Sequence, residues 1–330
     1  MSRTSDDIPN MDSATSGRYR KLIRYDIPKA ALKRYVEAEG ISVRGLSSSP
    51  RVAVAQSLSD EQIEQLIQEY KFAGKQSINY FVITGISEEE FSKIHDEVKH
   101  SSPISKEEVS AVREPYLATS DELDDKLYLS FGYLESEGDT DPKTGIETNE
   151  EIRGRCVAVI RQDTDLVAVR CSDENMAKKV ATQIASSLNV DRESASYRPN
   201  FGWEFEKQFR EELVEKYYSL KIRVNDEEGR TVETIRYNSK TDEKGERQDA
   251  REDEDVIRQL EEHGGDIRMG YVELKNGSKF YMNRDKSKIS FVAYERENSI
   301  SEITEVIDSV LRQNGEYPQK TLRAVRDVPE

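Results

Sequence analysis

The sequence has few of the residues that most often carry chemistry. It contains two cysteines, three histidines and one tryptophan among 330 residues. Two cysteines are too few for a disulfide framework. His95 and His100 are five residues apart, so they would not share one face of a helix as a zinc-binding pair must. We interpret these two and His263 as ordinary surface histidines, and we predict no metal ion and no cofactor.

Motifs that bind nucleotides or activate a nucleophile are also absent. The sequence has no GxxxxGKS/T phosphate loop, no GxGxxG after a strand and no GxSxG elbow. The two cysteines are predicted to face each other across a hairpin, which leaves a cysteine nucleophile with a histidine base unsupported. The sequence therefore predicts a protein that is not an enzyme.

One enzymatic alternative rests on a short acidic and basic pattern. Glu273 and Lys275 lie in GYVELKNG on a predicted strand, with Asp266 upstream. This pattern resembles part of a magnesium-dependent nuclease site, in which carboxylates hold the metal and the lysine stabilises charge. The same residues are also typical of a solvent-facing strand beside a hairpin, so a nuclease is the least favoured function.

Long apolar runs are missing as well. No stretch approaches the ~18 apolar residues that cross a membrane. The first seventeen residues, MSRTSDDIPNMDSATSG, lack the apolar segment of a secretory signal. We therefore expect a cytoplasmic protein without membrane contact, and we expect residues 1–17 to form a disordered tail.

Helical patterns fill the next hundred residues. Apolar positions recur at helical spacing after capping residues, and they predict helices at about 26–39, 59–74, 87–98 and 105–112. SINYFVITG (77–85) fits either a buried strand or a helix in a bundle core. The sequence predicts a helical, basic-faced domain over 18–114.

Strand patterns dominate from about residue 115. Two strand meanders each end in one amphipathic helix, and Asn276-Gly277 is a strong tight-hairpin signal. The expected fold is α+β: an all-α N-terminal domain followed by an antiparallel-sheet α+β region that could hold two pseudo-repeated units. The expected segments are a first α+β unit at 115–200, a second at 201–314 with an acidic loop at 239–256, and a C-terminal tail at 315–330.

The acidic loop and the cysteines each leave two interpretations open. Residues 239–256 could be a solvated or disordered loop, or an acidic surface for a basic partner. RCVAVIRQ (155–162) and DLVAVRC (165–171) would place Cys156 directly opposite Cys171. Reduced, packed thiols are favoured in a cytosolic protein over a cross-strand disulfide.

Positive charge is concentrated near the N-terminus of an acidic chain. The whole protein carries a net charge of −16, yet residues 18–51 hold nine basic and three acidic side chains. We predict that the basic residues bind nucleic acid through its phosphates, with weak sequence preference. The candidate residues are Arg18, Arg20, Lys21, Arg24, Lys29, Lys33, Arg34, Arg44 and Arg51.

The predicted helix at 26–39 gives these cations a common setting. Lys29 and Lys33 are four residues apart and would share one face, while residues 18–24 would precede the helix as a basic arm. Three nearby tyrosines, Tyr19, Tyr25 and Tyr35, could bond phosphates or stack on bases. DNA is the expected ligand, although the pattern does not distinguish DNA from RNA.

Two alternatives compete with nucleic-acid binding. The basic stretch could pair with the acidic remainder of the same protein. It could also bind an acidic protein, in which case the molecule is an adaptor or scaffold without a nucleic-acid role. A protein partner could also bind the α+β region.

A family resemblance favours nucleic-acid binding over these two alternatives. IPKAALKRYVEAEG followed by AVAQSLSDEQIEQLI is similar in pattern to the N-terminal helices of the inner-kinetochore centromere protein N family. LYLSFGYLE and CVAVIRQDTDLVAV are similar to its strand-rich part, so the resemblance covers roughly residues 20–190. It implies a non-enzymatic chromatin or DNA binder that docks onto partners.

Overall fold

The computed structural model separates the chain into two compact units. Unit 1 consists of residues 1–75 and 293–302, and unit 2 of residues 76–292 and 303–330. The structure describes residues 12–24, 27, 29–38, 40, 50–72, 77–83, 114–123, 125–140, 147–162, 164–187, 196–225, 231–262, 264–293 and 295–315. The helices predicted at 87–98 and 105–112 and nearly all of the predicted tail at 315–330 lie outside the described residues.

Unit 1 is helical in its described N-terminal part. Its helices are α1 (Ser13–Arg24), α2 (Lys29–Ala38), α3 (Pro50–Ser57) and α4 (Asp60–Tyr70). One buried apolar cluster joins them, with members from Leu22 on α1 to Tyr70 on α4. Helix α4 confirms its predicted signals. Ser59 and Gln62 form the capping box, and the apolar stripe is buried.

Helix α1 corrects the predicted disordered tail and basic arm. The helix begins at Ser13, within the segment expected to be disordered, and it contains residues 18–24. Asp12 accepts hydrogen bonds from the Thr15 amide at 2.9 Å and from the Thr15 hydroxyl at 2.7 Å, which satisfies amide groups at the helix start. Leu22 is fully buried, and this contact to the core stabilises a segment whose charge suggested solvent exposure.

Unit 2 is built on one antiparallel sheet of eleven strands. The strands are β1 (Ser77–Ile83), β2 (Tyr116–Leu123), β3 (Lys126–Thr140), β4 (Glu147–Arg161), β5 (Leu166–Arg170), β6 (Ser196–Tyr197), β7 (Val214–Asn225), β8 (Thr231–Asn238), β9 (Asp266–Leu274), β10 (Lys279–Asn283) and β11 (Lys288–Phe291). The order is β2-β3-β4-β5-β1-β11-β10-β9-β7-β8, and β6 pairs with β1. Together with the helices, this sheet confirms the α+β class.

Strand β1 overturns the predicted helical domain at 18–114. It lies between β5 and β11 and its residues from Ile78 to Ile83 are all buried. A strand buried on both faces has a continuous apolar run rather than an alternating one, which explains why SINYFVITG was ambiguous. The predicted helical domain therefore ends before Ser77 in the described chain.

Four further helices are found among the described residues of this part of the chain. They are α5 (Glu174–Ser187), α6 (Trp203–Leu213), α7 (Glu254–Glu261) and α8 (Glu297–Gln313). Each of β5 and β11 is followed in the chain by a helix, α5 and α8, as the two-unit pattern expects. That the two halves are repeats of each other stays a prediction.

A buried cluster joins α5 to β1, β3, β4 and β5. Cys156 on β4 and Cys171, directly after β5, belong to this cluster. Their Cα atoms are 5.0 Å apart and their sulfur atoms are in direct contact. The predicted opposite placement is confirmed, and the choice between two free thiols and a cross-strand disulfide stays a prediction.

The other half of the sheet has an aromatic core against α6. Phe205 and Phe209 on α6 stack at 5.6 Å between ring centroids, and Phe209 lies 6.3 Å from Phe280 on β10. Side chains alternate along a strand, so Phe280 faces α6 and the next residue, Tyr281, faces the opposite side. Tyr281 is 45 % exposed, which identifies that opposite side as open to solvent.

The acidic segment 239–256 is exposed but hydrogen-bonded. The carboxylate of Asp242 accepts from the backbone amides of Lys244 at 2.9 Å and Glu246 at 2.8 Å. Asp253 caps α7, which begins within the segment. The acidic side chains therefore order the turn and the helix start, so the segment is solvated, as one interpretation expected, but it is not disordered.

Candidate nucleic-acid interface

The nine predicted cations all belong to unit 1, and most lie on its first two helices. α1 carries Arg18, Arg20, Lys21 and Arg24, α2 carries Lys29, Lys33 and Arg34, and α3 carries Arg51. Arg44 and the side chain of Arg24 lie outside the described part of the structure. The sequences of α1 and α2 together contain seven basic residues and one acidic residue, Glu37.

Arg18 is a structural residue in this fold. Its Nη1 atom donates to the carbonyl oxygens of Ala55 at 3.1 Å and Leu58 at 2.7 Å, at the end of α3. Its Nε atom donates to Asp60 at 2.9 Å, in the first turn of α4. The last carbonyl groups of a helix lack partners within the helix, so Arg18 satisfies two of them and joins α3 to α4.

Two more of the predicted cations have internal partners. Lys21 forms an ion pair with Glu64 on α4. Arg51 donates from Nη2 to the carbonyl oxygen of Ile27 at 3.1 Å, in the segment between α1 and α2. The pair of Lys21 with Glu64 is the kind of contact that the intramolecular-pairing alternative predicts, whereas Arg51 contacts a neutral carbonyl group.

The remaining cations are at the surface. Arg20 on α1 and Lys29, Lys33 and Arg34 on α2 are all exposed. Lys33 lies 3.7 Å from Glu37, one turn further along α2. Both of these side chains are more than half exposed, and such a pair contributes ~0–1 kcal/mol. A phosphate group could therefore replace Glu37 as the partner of Lys33 at a cost of no more than ~1 kcal/mol.

The tyrosines near the cations have a different role from the predicted one. Tyr35 is 4 % exposed and belongs to the buried cluster of unit 1. Tyr19 packs against the same cluster and is partly buried. Tyr25 lies outside the described residues. Neither described ring is placed to stack on a base, so the expectation of aromatic contacts in this segment is not supported.

The residues of the nuclease alternative do not converge. Asp266 pairs with Arg284, and Lys275 donates from Nζ to the carbonyl oxygens of Glu211 and Glu212, at 2.9 Å each. Asp266 and Glu273 are seven residues apart on one strand, or about 23 Å at ~3.3 Å per residue. Among the described residues, no three carboxylate, histidine or cysteine side chains are grouped so that they could hold a metal ion.

Sequence reasoning missed a second surface, on the open side of unit 2. Tyr218 on β7, Tyr271 on β9 and Tyr281 on β10 form a continuous series of rings, which we call the tyrosine row. The centroid distances are 5.3 Å from Tyr218 to Tyr271 and 4.7 Å from Tyr271 to Tyr281, where the rings stack. The signal was present in the sequence, because Tyr271 in GYVEL and Tyr281 in KFYMN occupy alternate, outward positions.

Cations surround the buried end of the tyrosine row. Lys279 lies 4.9 Å, Lys216 5.7 Å and Arg247 5.8 Å from the centroid of the Tyr218 ring. The Tyr218 hydroxyl donates to Glu273 and accepts from Lys279 at 3.1 Å. The arrangement brings three cations and one carboxylate to a single ring.

The carboxylate of Glu273 is held in its charged form. Burial opposes its ionisation, but the Tyr218 hydroxyl and Lys279 outweigh burial and lower the pKa of Glu273. The hydrogen bond with Tyr218, followed by the charge of Glu273, raises the pKa of Lys279. At neutral pH this cluster therefore keeps a net positive charge.

Three searches, for membrane-spanning helices among the described residues, for a protein family and for similar curated proteins, found no match. No helix in the described ranges is both long and apolar enough to span a membrane. No protein-family model matches the chain, and a search of curated proteins finds no similar sequence, so its function must be inferred from its residues and their geometry.

Proposed function

We propose that this protein is a non-enzymatic, cytoplasmic DNA-binding protein that uses the exposed cations of α1 and α2. One observation carries the proposal. In a chain of net charge −16, these two helices hold seven basic residues and one acidic residue. DNA carries one negative charge per ~1.7 Å of helix axis, and cations that neutralise its phosphates release counterions.

Six of the nine predicted cations fall into two groups according to their contacts and exposure. Arg18 and Arg51 satisfy backbone carbonyl groups, and Lys21 pairs with Glu64, so these residues support the fold. Arg20, Lys29 and Lys33 are exposed and form the proposed phosphate-binding group. Phosphate contacts position a protein without distinguishing bases, so weak sequence preference is expected.

The test compares two variants of equal charge. Fluorescence anisotropy with a labelled DNA duplex is measured across a salt series for the wild type and for Arg20→Gln/Lys29→Gln/Lys33→Gln. The matched control is Lys178→Gln/Lys207→Gln/Lys244→Gln, which removes three positive charges from exposed positions of unit 2. Both variants therefore have the same net charge.

The proposal predicts a specific change in salt dependence. Each phosphate contact contributes about −0.9 to the slope of log affinity against log salt. The unit 1 variant should bind more weakly, with a slope less steep by up to about 3, and the control should bind as the wild type does. Equal weakening of both variants would mean that only net charge matters, and absence of binding by the wild type at low salt would refute DNA binding.

A protein adaptor is the second candidate, and the long hairpin of β3 and β4 favours it. β2 pairs with β3 up to Gly132 and β5 pairs with β4 only at 157–160. Residues 133–140 and 147–154 pair with each other, forming a two-stranded ribbon. Its acidic residues are Glu135, Glu137, Asp139, Glu147, Glu150 and Glu151.

The adaptor function predicts that this ribbon binds a basic partner. Calorimetry with a lysine-rich peptide tests it, using a variant in which Glu135, Glu137 and Glu150 are changed to Gln. Loss of peptide binding in the variant would support an adaptor. Equal binding by the variant and the wild type would remove the ribbon from consideration.

A further inference from the structure

The open face of β7, β9 and β10 has aromatic and basic residues in adjacent rows. The strand register places Ser219, Tyr271 and Tyr281 side by side across the three strands. Two residues away on β9 and β10, and three on β7 where a bulge adds one residue, it places Lys216, Glu273 and Lys279 side by side. Two residues along a strand span about 7 Å, so the rings lie next to two lysines that flank the carboxylate of Glu273.

A second pair of cations lies on the other side of the rings. Lys221 on β7 is directly opposite Arg236 on β8, and both are exposed. They are two residues beyond Ser219 and Asn238, which are also directly opposite each other. Like charges directly opposite each other destabilise a sheet, so this pair is better explained by an anionic ligand than by the stability of the sheet.

The outer end of the tyrosine row has room for another flat group. Tyr281 keeps 45 % of its surface exposed. The next positions across the sheet are Ser290 on β11 and Ser77 on β1, whose hydroxyls lie 2.8 Å apart. Because these side chains are short, they leave space beside the ring of Tyr281 at the height where a base would stack.

We propose that this face binds single-stranded DNA, with an unpaired base stacked on the exposed ring of Tyr281 at the outer end of the tyrosine row and phosphates held by the cations on either side. Proteins that bind single strands combine aromatic stacking with a basic surface. A duplex hides the faces of its bases, so this site should reject it. The choice of DNA rests on the proposed function, whereas the stacking geometry does not depend on it.

Stabilisation of the fold does not explain why the rings of Tyr271 and Tyr281 extend into solvent. Tyr218 is 9 % exposed and already has bonds to Glu273 and Lys279, but Tyr271 and Tyr281 extend the rings outward into solvent. Charge complementarity favours a polyanion, since three cations and one carboxylate meet at the Tyr218 ring. A protein partner would need acidic residues at the same spacing, and it becomes an outcome of the test.

The experiment measures anisotropy with a labelled oligothymidylate of about ten nucleotides, a length within the usual site size of such surfaces. The variants are Tyr281→Ser, which removes the exposed ring, and Tyr281→Phe, which keeps it without the hydroxyl. We expect Tyr281→Ser to weaken binding by about tenfold or more and Tyr281→Phe to bind within about twofold of the wild type. Circular dichroism confirms that both variants are folded.

Two competitors make the result decisive. In the Arg20→Gln/Lys29→Gln/Lys33→Gln background, where α1 and α2 lack their phosphate-binding group, an unlabelled duplex of the same length should not displace the oligonucleotide, and equal displacement overturns the proposal. An oligouridylate that binds more than about tenfold tighter overturns the assignment to DNA. Absence of binding by the wild type, or equal binding by wild type and Tyr281→Ser, overturns the site and leaves the face to a protein partner.

The failure of this site can be distinguished from failure of the proposed function. The Arg20→Gln/Lys29→Gln/Lys33→Gln variant leaves the tyrosine row unchanged, so adding Tyr281→Ser to it should weaken oligothymidylate binding about as much as it does in the wild type. Tyr281→Ser leaves α1 and α2 unchanged, so it should bind duplex DNA as the wild type does. If each variant lost both ligands, the two sites would not be separate and the proposal would be wrong.

Discussion

Arg18 and Arg20 are two residues apart on α1, and the structure gives them opposite roles. Arg18 is 19 % exposed and donates to the carbonyl groups of Ala55 and Leu58 and to Asp60. Arg20 is exposed. Replacing each by Gln removes the same charge from the same helix, so the pair separates a structural role from a ligand-binding one. We predict that Arg18→Gln destabilises unit 1 and that Arg20→Gln does not.

The magnitude follows from the three hydrogen bonds of Arg18. A hydrogen bond that involves a charged group contributes about 1.5–3 kcal/mol, and two such bonds go to backbone carbonyl groups. The pair with Asp60 adds little, because Asp60 is 74 % exposed and exposed ion pairs contribute ~0–1 kcal/mol. We expect Arg18→Gln to lower the free energy of unfolding by about 3 kcal/mol, and Arg20→Gln to change it by less than about 0.5 kcal/mol.

Urea unfolding followed by two signals is the assay. Far-UV circular dichroism reports the helices, and the fluorescence of Trp203, the only tryptophan, reports unit 2. The Arg18→Gln transition should shift to lower urea in circular dichroism. A change of less than about 0.5 kcal/mol in Arg18→Gln, equal to that of Arg20→Gln, would refute the structural role and return Arg18 to the phosphate-binding group.

Three further predictions concern Gly270 and Glu206 in unit 2 and Gly17 on α1. Gly270→Ala would place a Cβ atom 2.6 Å from Cε1 of Tyr217, whose ring is fully buried, so we expect a loss of about 1–3 kcal/mol in thermal unfolding. Gly17→Ala, where the added atom meets nothing within 4 Å, should instead stabilise its helix by ~0.5–1 kcal/mol. Burial raises the pKa of Glu206 above its ordinary value of 4.5, so the folded state binds this proton more tightly than the unfolded state does. The stability that this proton contributes is present below pH 4.5 and is lost as pH rises through the raised pKa of Glu206. Glutamine does not titrate, so urea midpoints measured between pH 4.5 and neutrality should fall less in Glu206→Gln than in the wild type.

The parts of the fold that sequence could predict have local causes. Ser59 and Gln62 interact within one helical turn, and the capping box they form is visible in the sequence. Gly277 has φ of +85°, a conformation that favours glycine, and it follows Asn276 in the hairpin that joins β9 to β10. In these places the neighbouring residues determine the conformation, so the pattern alone was sufficient.

The parts that sequence could not predict depend on distant partners. Arg18 resembles the other cations of its segment until α3 and α4 supply its acceptors about forty residues later. Tyr35 is one of three tyrosines among basic residues, and only the packing of unit 1 shows that it is buried. The concentration of cations in residues 18–51 is visible in the sequence, but the helix formed by Ser13–Arg24 and the division of the cations into structural and exposed groups required the tertiary structure.

The position of β1 in the sheet determines when its edge can be paired during synthesis of the chain. Asn79 pairs with Lys288 on β11, about two hundred residues later in the chain. β6 pairs with this edge only at Val82 and Ile83, so the part formed by Ser77–Asn79 has no partner until β11 is made. Translation proceeds at ~5–20 residues per second, which leaves that part unpaired for roughly 10–40 s. An apolar, unpaired strand edge promotes association with other chains. The newly made chain therefore depends on chaperones until β11 is made, and truncations before Lys288 should accumulate as aggregates.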